Sequence, residues 1–364
     1  MRYKVNTNSL EILTSDLLDF KENRLGVLIC GHGSRNRLAV EEFAQLTQSL
    51  KLRLPSIPVE YGYLEFARPI IREALDSLSS QSVERVIAIP AMLFAAGHAK
   101  NDIPSLLNAY AAETGLNIDY GRELGINNSM IGAAGERIKE TIQSCKNFPN
   151  NETLLVVVGR GSSDPDANAN VSKITRMLVE CFGFGWGETV YSGVTFPLVE
   201  SGLRKVVRLG FQRIIVFPYF LFSGVLVGRI RNHTKKVAAD FPNIEFLQAS
   251  YLGNHSLVLD TFLDRIQEVL VGDNAMNCAL CKYRSSLLGF ENEVSLVQES
   301  HHHHVEGLHE SCQLCENECT GACEIESKER SFGQLNRHES HKHHPHTHHP
   351  YPNADHPLGP STLD

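Results

Sequence analysis

The chain has 364 residues, 42% of them hydrophobic, and a formal net charge of −8 at pH 7. This length can hold two domains, and the acidic balance without a basic, aromatic-interleaved stripe argues against nucleic-acid binding. No apolar run reaches the length of a membrane span, and the first ten residues contain no apolar signal core. We therefore expect a cytoplasmic protein.

Residues 1–24 are predicted to form an N-terminal extension with one amphipathic stretch at 10–20. Strand-like and helix-like segments then alternate, which is typical of a parallel sheet covered by helices on both faces. The predicted strands span 25–30, 59–64, 83–90 and 116–120, and the predicted helices span 37–52, 69–79, 101–113 and 130–145.

The same alternation follows a second time. Residues 28–34 match 156–162, and residues 86–94 match 214–222, both at an offset of 128 positions. Two separate matches at one offset indicate a duplicated α/β domain. The second set of strands is predicted at 153–158, 189–194, 213–218 and 244–249, and its helices at 167–182, 198–209, 226–241 and 256–271.

The duplication predicts four regions. An extension at 1–24 precedes a first domain at 25–146, and a second domain follows at 152–272. The two domains join near 147–151, where Asn and Pro favour a turn. A tail rich in Cys and His occupies 273–364.

Three side chains with metal-binding chemistry follow strands of the first domain. His32 lies in a Gly-His-Gly loop directly after the first strand, Glu65 follows the second, and His98 follows the third. Loops at the carboxyl ends of parallel strands meet at one edge of the sheet, where ligands bind. Two imidazoles and a carboxylate suit Co²⁺, Ni²⁺ or Fe²⁺ and can also accept protons.

The second domain carries Arg160 and Leu226 at the positions of His32 and His98. We therefore predict that the first domain alone is catalytic. Simpler interpretations are that His32 is an ordinary residue of a turn and that Glu65 is a solvated residue at the end of a strand. A histidine phosphatase is disfavoured, because the Arg-His-Gly signature of that class is absent. The basic side chains near the loops that can hold a polyanionic substrate are Arg35, Arg68 and Lys100.

The loop at 31–35 and the segment at 94–104 resemble those of class II sirohydrochlorin chelatases of the CbiX family, and the resemblance covers about 25–272. The two-copy length and the tail are similar to the long form of this family. The resemblance implies a lyase that inserts Co²⁺ into sirohydrochlorin in cobalamin biosynthesis. His32 and His98 would bind the metal and assist pyrrole deprotonation, with Glu65 as the acidic partner.

The same resemblance implies which residues meet the macrocycle, and alternatives remain. Insertion of Fe²⁺ for sirohaem is the nearest one, Ni²⁺ is also possible, and a metal-storage or metallochaperone protein is a further alternative. The implied substrate contacts are Arg35, Arg68, Phe94, Ala95, Ala96 and Lys100.

The tail concentrates metal ligands, with six of the nine cysteines between 278 and 323 and thirteen of the 17 histidines after residue 300. Its Cys-x-x-Cys pairs suit zinc or an iron–sulfur cluster, and the resemblance to long members of the family, some of which hold such a cluster, favours the cluster. Clustered imidazoles bind divalent ions, which predicts metal storage or delivery. The cysteines predicted to hold the cluster are Cys278, Cys281, Cys312 and Cys315.

Overall fold

The computed structural model describes residues 24–143, 145 and 148–276. The predicted N-terminal extension, apart from Arg24, and the predicted Cys and His ligands of the tail lie outside these residues. Within the described ranges, no helix is both long enough and apolar enough to cross a bilayer.

The described chain forms two four-stranded sheets in which all neighbouring strands are parallel. Their orders are β2-β1-β3-β4 and β6-β5-β7-β8, so the two sheets have the same topology. This confirms the predicted duplicated α/β fold. The strands are β1 (Leu25–Gly31), β2 (Val59–Tyr63), β3 (Arg85–Pro90), β4 (Asn117–Tyr120), β5 (Thr153–Gly159), β6 (Trp186–Tyr191), β7 (Arg213–Pro218) and β8 (Glu245–Gln248).

The strands β1 and β5 are buried along all seven residues. Their continuous apolar sequences are typical of central parallel strands, which helices cover on both faces. Those helices are α1 (Arg37–Arg53), α2 (Ile71–Ser80), α3 (Ile103–Thr114), α4 (Asn128–Gln143), α5 (Pro165–Phe182), α6 (Val199–Val206), α7 (Val225–Asp240) and α8 (Ser256–Val271).

Two predicted segments need correction. The strand predicted at 189–194 is β6, three residues earlier, because the chain leaves the sheet after Tyr191 and Val194 has a φ of +70°. The helix predicted at 101–113 begins earlier, with a π-helical turn at His98–Asp102 that leads into α3. This turn places His98 within the first helical turn instead of in a loop before it.

The two sheets share one hydrophobic core, since a single cluster of buried side chains draws on both copies. Phe43 meets Phe222 with ring centroids 5.6 Å apart, and Phe94 stacks on Tyr219 at 5.8 Å. Phe94 follows β3 and Tyr219 follows β7, so the carboxyl edges of the two sheets meet. We call this meeting place the junction.

Candidate metal site at the junction

The loop that carries His32 is locked against the loop that carries Glu65. The Glu65 amide donates a hydrogen bond to the His32 carbonyl at 3.0 Å. Gly33 has a φ of +96°, and a Cβ there would lie 1.6 Å from the Glu65 carbonyl oxygen. Only glycine therefore permits this approach, which fixes His32 beside Glu65.

His98 is held by a buried carboxylate on the same π-helical turn. Its Nδ1 lies 2.6 Å from Asp102 Oδ2, and Asn101 Nδ2 donates to the other Asp102 oxygen at 2.7 Å. Asp102 is 1% exposed. A carboxylate fixed on the far side of an imidazole sets its orientation, as it does in many metal sites.

The structure brings His32, Glu65 and His98 together. One potential ligand atom from each lies within 4.8 Å of those of the other two. His32 Nε2 is 3.3 Å from Glu65 Oε1, and the two imidazole rings meet edge to face at 4.5 Å. Two nitrogens and one carboxylate oxygen form a donor set that accepts Co²⁺, Ni²⁺ or Fe²⁺.

Hydrogen bonds assign the same tautomer to both imidazoles. His32 Nδ1 lies 3.1 Å from the Gly33 carbonyl oxygen, and His98 Nδ1 faces the Asp102 carboxylate. Because an ionised carboxylate only accepts hydrogen bonds, Nδ1 of His98 carries the hydrogen. For His32, the Gly33 carbonyl at Nδ1 is a closer acceptor than Glu65 Oε1 at Nε2, which favours the same tautomer. Each Nε2 then presents a lone pair, which is the form that binds a metal ion or takes a proton.

The electrostatics of the site keep His32 neutral. Burial in the junction holds the pKa of His32 well below its usual range, and the charges of His98 and Arg160 act in the same direction. Solvent still reaches both imidazoles, since the side chain of His32 is 28% exposed and that of His98 is 32% exposed. A neutral, reachable imidazole can act as a ligand at pH values where a free histidine is partly protonated.

An aromatic ring and a guanidinium border the site. Phe66 stacks on His32 with ring centroids 6.0 Å apart, and the Arg35 guanidinium lies 4.7 Å from the Phe66 ring centroid. The Arg68 side chain is 60% exposed, with a nitrogen 3.7 Å from Glu73. Arg35 therefore borders the site through Phe66, and Arg68 is in contact with solvent.

Three of the predicted substrate residues have other surroundings. The Lys100 ammonium is 5% exposed and lies 2.6 Å from Asp164 and 3.7 Å from Asp166, both in the second copy. Ala95 is 5% exposed, and Phe94 stacks on Tyr219. The contacts of Lys100 and Phe94 join the two copies, and the burial of Lys100 corrects the expectation that it is available to a substrate. Ala96 is half-buried beside them.

Sequence reasoning missed Asp102 and the position of Arg160. The spacing of four residues between His98 and Asp102 was the available signal for the first. Arg160 was recognised as the replacement of a histidine, but its approach to the first copy depends on packing between distant segments. Within the described ranges, the second copy has no group of three metal ligands at the equivalent edge.

Comparison with known proteins identifies one family of similar sequences. The CbiX family model matches this chain twice, at residues 26–141 and 154–269. A sirohydrochlorin cobaltochelatase from Priestia megaterium is 35% identical over 264 residues, which cover 72% of this chain and 85% of that protein. A sirohydrochlorin ferrochelatase from Bacillus subtilis is 32% identical over 253 residues, covering 66% of this chain and 90% of that protein.

Solved structures agree with the fold. SirB from Bacillus subtilis with Fe³⁺ superposes with a TM-score of 0.60 at 27% identity, covering 70% of this chain and 99% of that one. The sirohydrochlorin chelatase SirB from Bacillus subtilis subspecies spizizenii in complex with cobalt gives a TM-score of 0.57 at 28% identity, covering 67% and 94%.

Proposed function

The chain belongs to the CbiX family, and we propose that it inserts a divalent metal ion, with Co²⁺ favoured, into sirohydrochlorin in cobalamin biosynthesis. The observation that carries this proposal is the group formed by His32, Glu65 and His98. Its three ligand atoms lie within 4.8 Å of one another, at a sheet edge that solvent reaches.

Metal insertion exchanges two pyrrole N–H protons for one divalent cation. In the proposed mechanism, the Nε2 atoms of His32 and His98 and the Glu65 carboxylate hold the cation beside the ring. As the cation moves onto the pyrrole nitrogens, its former ligands are free to accept the departing protons. The Asp102 carboxylate stabilises the imidazolium that forms when His98 takes a proton.

The choice of metal rests on the relatives. The cobaltochelatase is 35% identical to this chain, while the Bacillus subtilis ferrochelatase is 32% identical. Fe²⁺ is therefore the alternative substrate. The donor set itself accepts Co²⁺, Ni²⁺ and Fe²⁺, because imidazole and carboxylate bind all three.

The tail adds a second part to the proposal. Its cysteines would hold an iron–sulfur cluster, and its histidines would collect metal ions for delivery, as their spacing and clustering suggest. All of these residues lie outside the described ranges. Iron and sulfide analysis of anaerobically purified protein tests the cluster. The cysteines that would hold the cluster are Cys278, Cys281, Cys312 and Cys315.

The cytoplasmic location stays a prediction.

An anaerobic absorbance assay with sirohydrochlorin and Co²⁺, Fe²⁺ or Ni²⁺ tests the function. We expect insertion by the wild type and its loss in the double variant His32→Ala/His98→Ala. His233→Ala, which removes a histidine of the second copy, serves as the matched control and should retain activity. Turnover retained in the double variant, or a wild type no faster than the uncatalysed reaction, would refute the proposal and favour metal storage.

A further inference from the structure

Arg160 occupies a rigid position at the carboxyl end of β5. Its carbonyl accepts a hydrogen bond from Ser192 Oγ at 3.0 Å. The next residue, Gly161, has a φ of +87°, and a Cβ there would lie 1.8 Å from the Gly193 carbonyl oxygen. The backbone from which the Arg160 side chain extends is therefore fixed in the same way as that of the His32 loop.

Arg160 directly follows β5, at the edge of the second sheet that meets the edge carrying the metal-binding side chains. Its positive charge contributes to the lowered pKa of His32, after burial and His98. Partial desolvation by the surrounding protein lowers the pKa of Arg160, and the Glu65 carboxylate acts in the opposite direction. The ion pair between Lys100 and Asp164, 2.6 Å long, holds the two loop regions against each other.

The guanidinium of Arg160 is available to a ligand. The residue remains accessible to solvent, although the protein around it partly desolvates the guanidinium. Among the residues that the structure describes, no carboxylate forms an ion pair with it. Glu65 acts on this cation only through space, so the guanidinium keeps its hydrogen-bonding capacity for an anionic ligand. Such a cation next to three metal ligands is unfavourable for binding a free metal ion.

We propose that Arg160, which the second copy contributes at the junction, is the anchor for a carboxylate of the macrocycle. This inference rests on the proposed function, because it takes a polycarboxylate tetrapyrrole as the ligand. A guanidinium binds a carboxylate through two parallel hydrogen bonds, which fixes orientation as well as position. The bound carboxylate also neutralises the charge that disfavours the metal ion.

Binding of sirohydrochlorin to the metal-free full-length protein tests the anchor without requiring turnover. We expect Arg160→Leu to weaken binding about tenfold, since a charged hydrogen-bonding pair is lost. The affinity of Arg160→Lys for sirohydrochlorin should lie between those of the wild type and Arg160→Leu, because lysine keeps the charge but cannot form two parallel hydrogen bonds. Arg208→Leu removes an exposed arginine that precedes β7, at the opposite edge of the sheet, and should bind as the wild type does.

A titration with Co²⁺ alone gives an independent readout. The signal of the His32→Ala/His98→Ala variant, which retains the tail, is subtracted as background. Arg160→Leu should bind Co²⁺ about threefold or more tightly than the wild type, because a repulsive charge is removed. Arg160→Lys, which keeps that charge, should be close to the wild type.

The outcomes separate the two proposals. If the wild type binds and metallates sirohydrochlorin but Arg160→Leu binds it equally well, the anchor is wrong and the proposed function stands. An unchanged Co²⁺ affinity in Arg160→Leu would likewise overturn the placement of its charge at the site. If the wild type neither binds nor metallates the macrocycle, the proposed function itself fails.

Discussion

The two copies have the same loop backbone and opposite chemistry. Gly33 and Gly161 have φ values of +96° and +87° at equivalent positions, and Phe66 and Val194 share φ values of +65° and +70°. A positive φ on a non-glycine residue costs about 1–3 kcal/mol, so it persists only where the surrounding fold imposes it. Since the copy without metal ligands keeps this conformation, the unusual backbone belongs to the fold and the chemistry belongs to the side chains.

The side chains of the candidate metal site are all replaced in the second copy. The loss extends to a residue that would not touch the metal, because the partner of His98 is replaced by an apolar side chain. This supports a joint role for His98 and Asp102. The equivalent pairs are His32 and Arg160, Glu65 and Gly193, His98 and Leu226, and Asp102 and Ile230.

The copies also differ in what they contribute to the junction. The first copy donates Lys100, and the second donates Asp164 as the N-terminal cap of α5. At the equivalent positions, the second copy has Gly228 and the first has Asn36. The buried ion pair therefore occurs once across the junction, on the side of the π-helical turn.

The largest expected effect comes from breaking this ion pair. Lys100→Met should lower the free energy of unfolding by about 3 kcal/mol, because it leaves buried carboxylates without their cation. Urea unfolding of the full-length protein measures the change. Arg37→Ala, which breaks an exposed pair with Glu41, should cost no more than about 0.5 kcal/mol. Equal effects of the two variants would contradict a buried, one-sided joint.

A smaller effect should follow from Asp102→Asn, which preserves the shape of the side chain. The amide that replaces the Asp102 carboxylate can donate to His98 Nδ1, so the imidazole hydrogen moves to Nε2. The Nε2 atom then has no lone pair for the metal ion. Affinity for Co²⁺ should fall about 10–100-fold. The same background subtraction isolates the site, and nitrogen NMR of His98 reports the tautomer. An unchanged affinity would show that the pairing of His98 with Asp102 is only structural.

The smallest effect concerns acid stability. The pKa of His32 in the folded protein is below its ordinary value of 6.5, so the unfolded chain takes up the proton first as the pH falls. Stability should therefore decrease below pH 6.5 by up to about 1.4 kcal/mol per pH unit from this group. His32→Gln should lose this component in metal-free urea titrations. Identical pH slopes for the two proteins would show that His32 titrates normally.

The sequence predicted the sheets well, and it singled out the three side chains that lie together at the sheet edge, because both follow local rules. The strands showed continuous apolar runs, and the offset of 128 residues exposed the duplication. The residues that join the copies followed no such rule. Lys100 and Asp164 are 64 positions apart, and the sequence near Lys100 contains no pattern that predicts a buried partner. The π-helical turn was missed because periodicity arguments assume the ordinary helical repeat.

The shared core gives this chain a freedom that a symmetric assembly lacks. In a pair of identical subunits, every substitution appears on both sides of the interface. Here Phe43 and Phe222 pack in one core, yet each side of the junction is encoded separately. One side can therefore carry the candidate metal ligands, while the other side carries Arg160. Because the two copies are joined in one chain, the fold can keep different residues on the two sides of its junction.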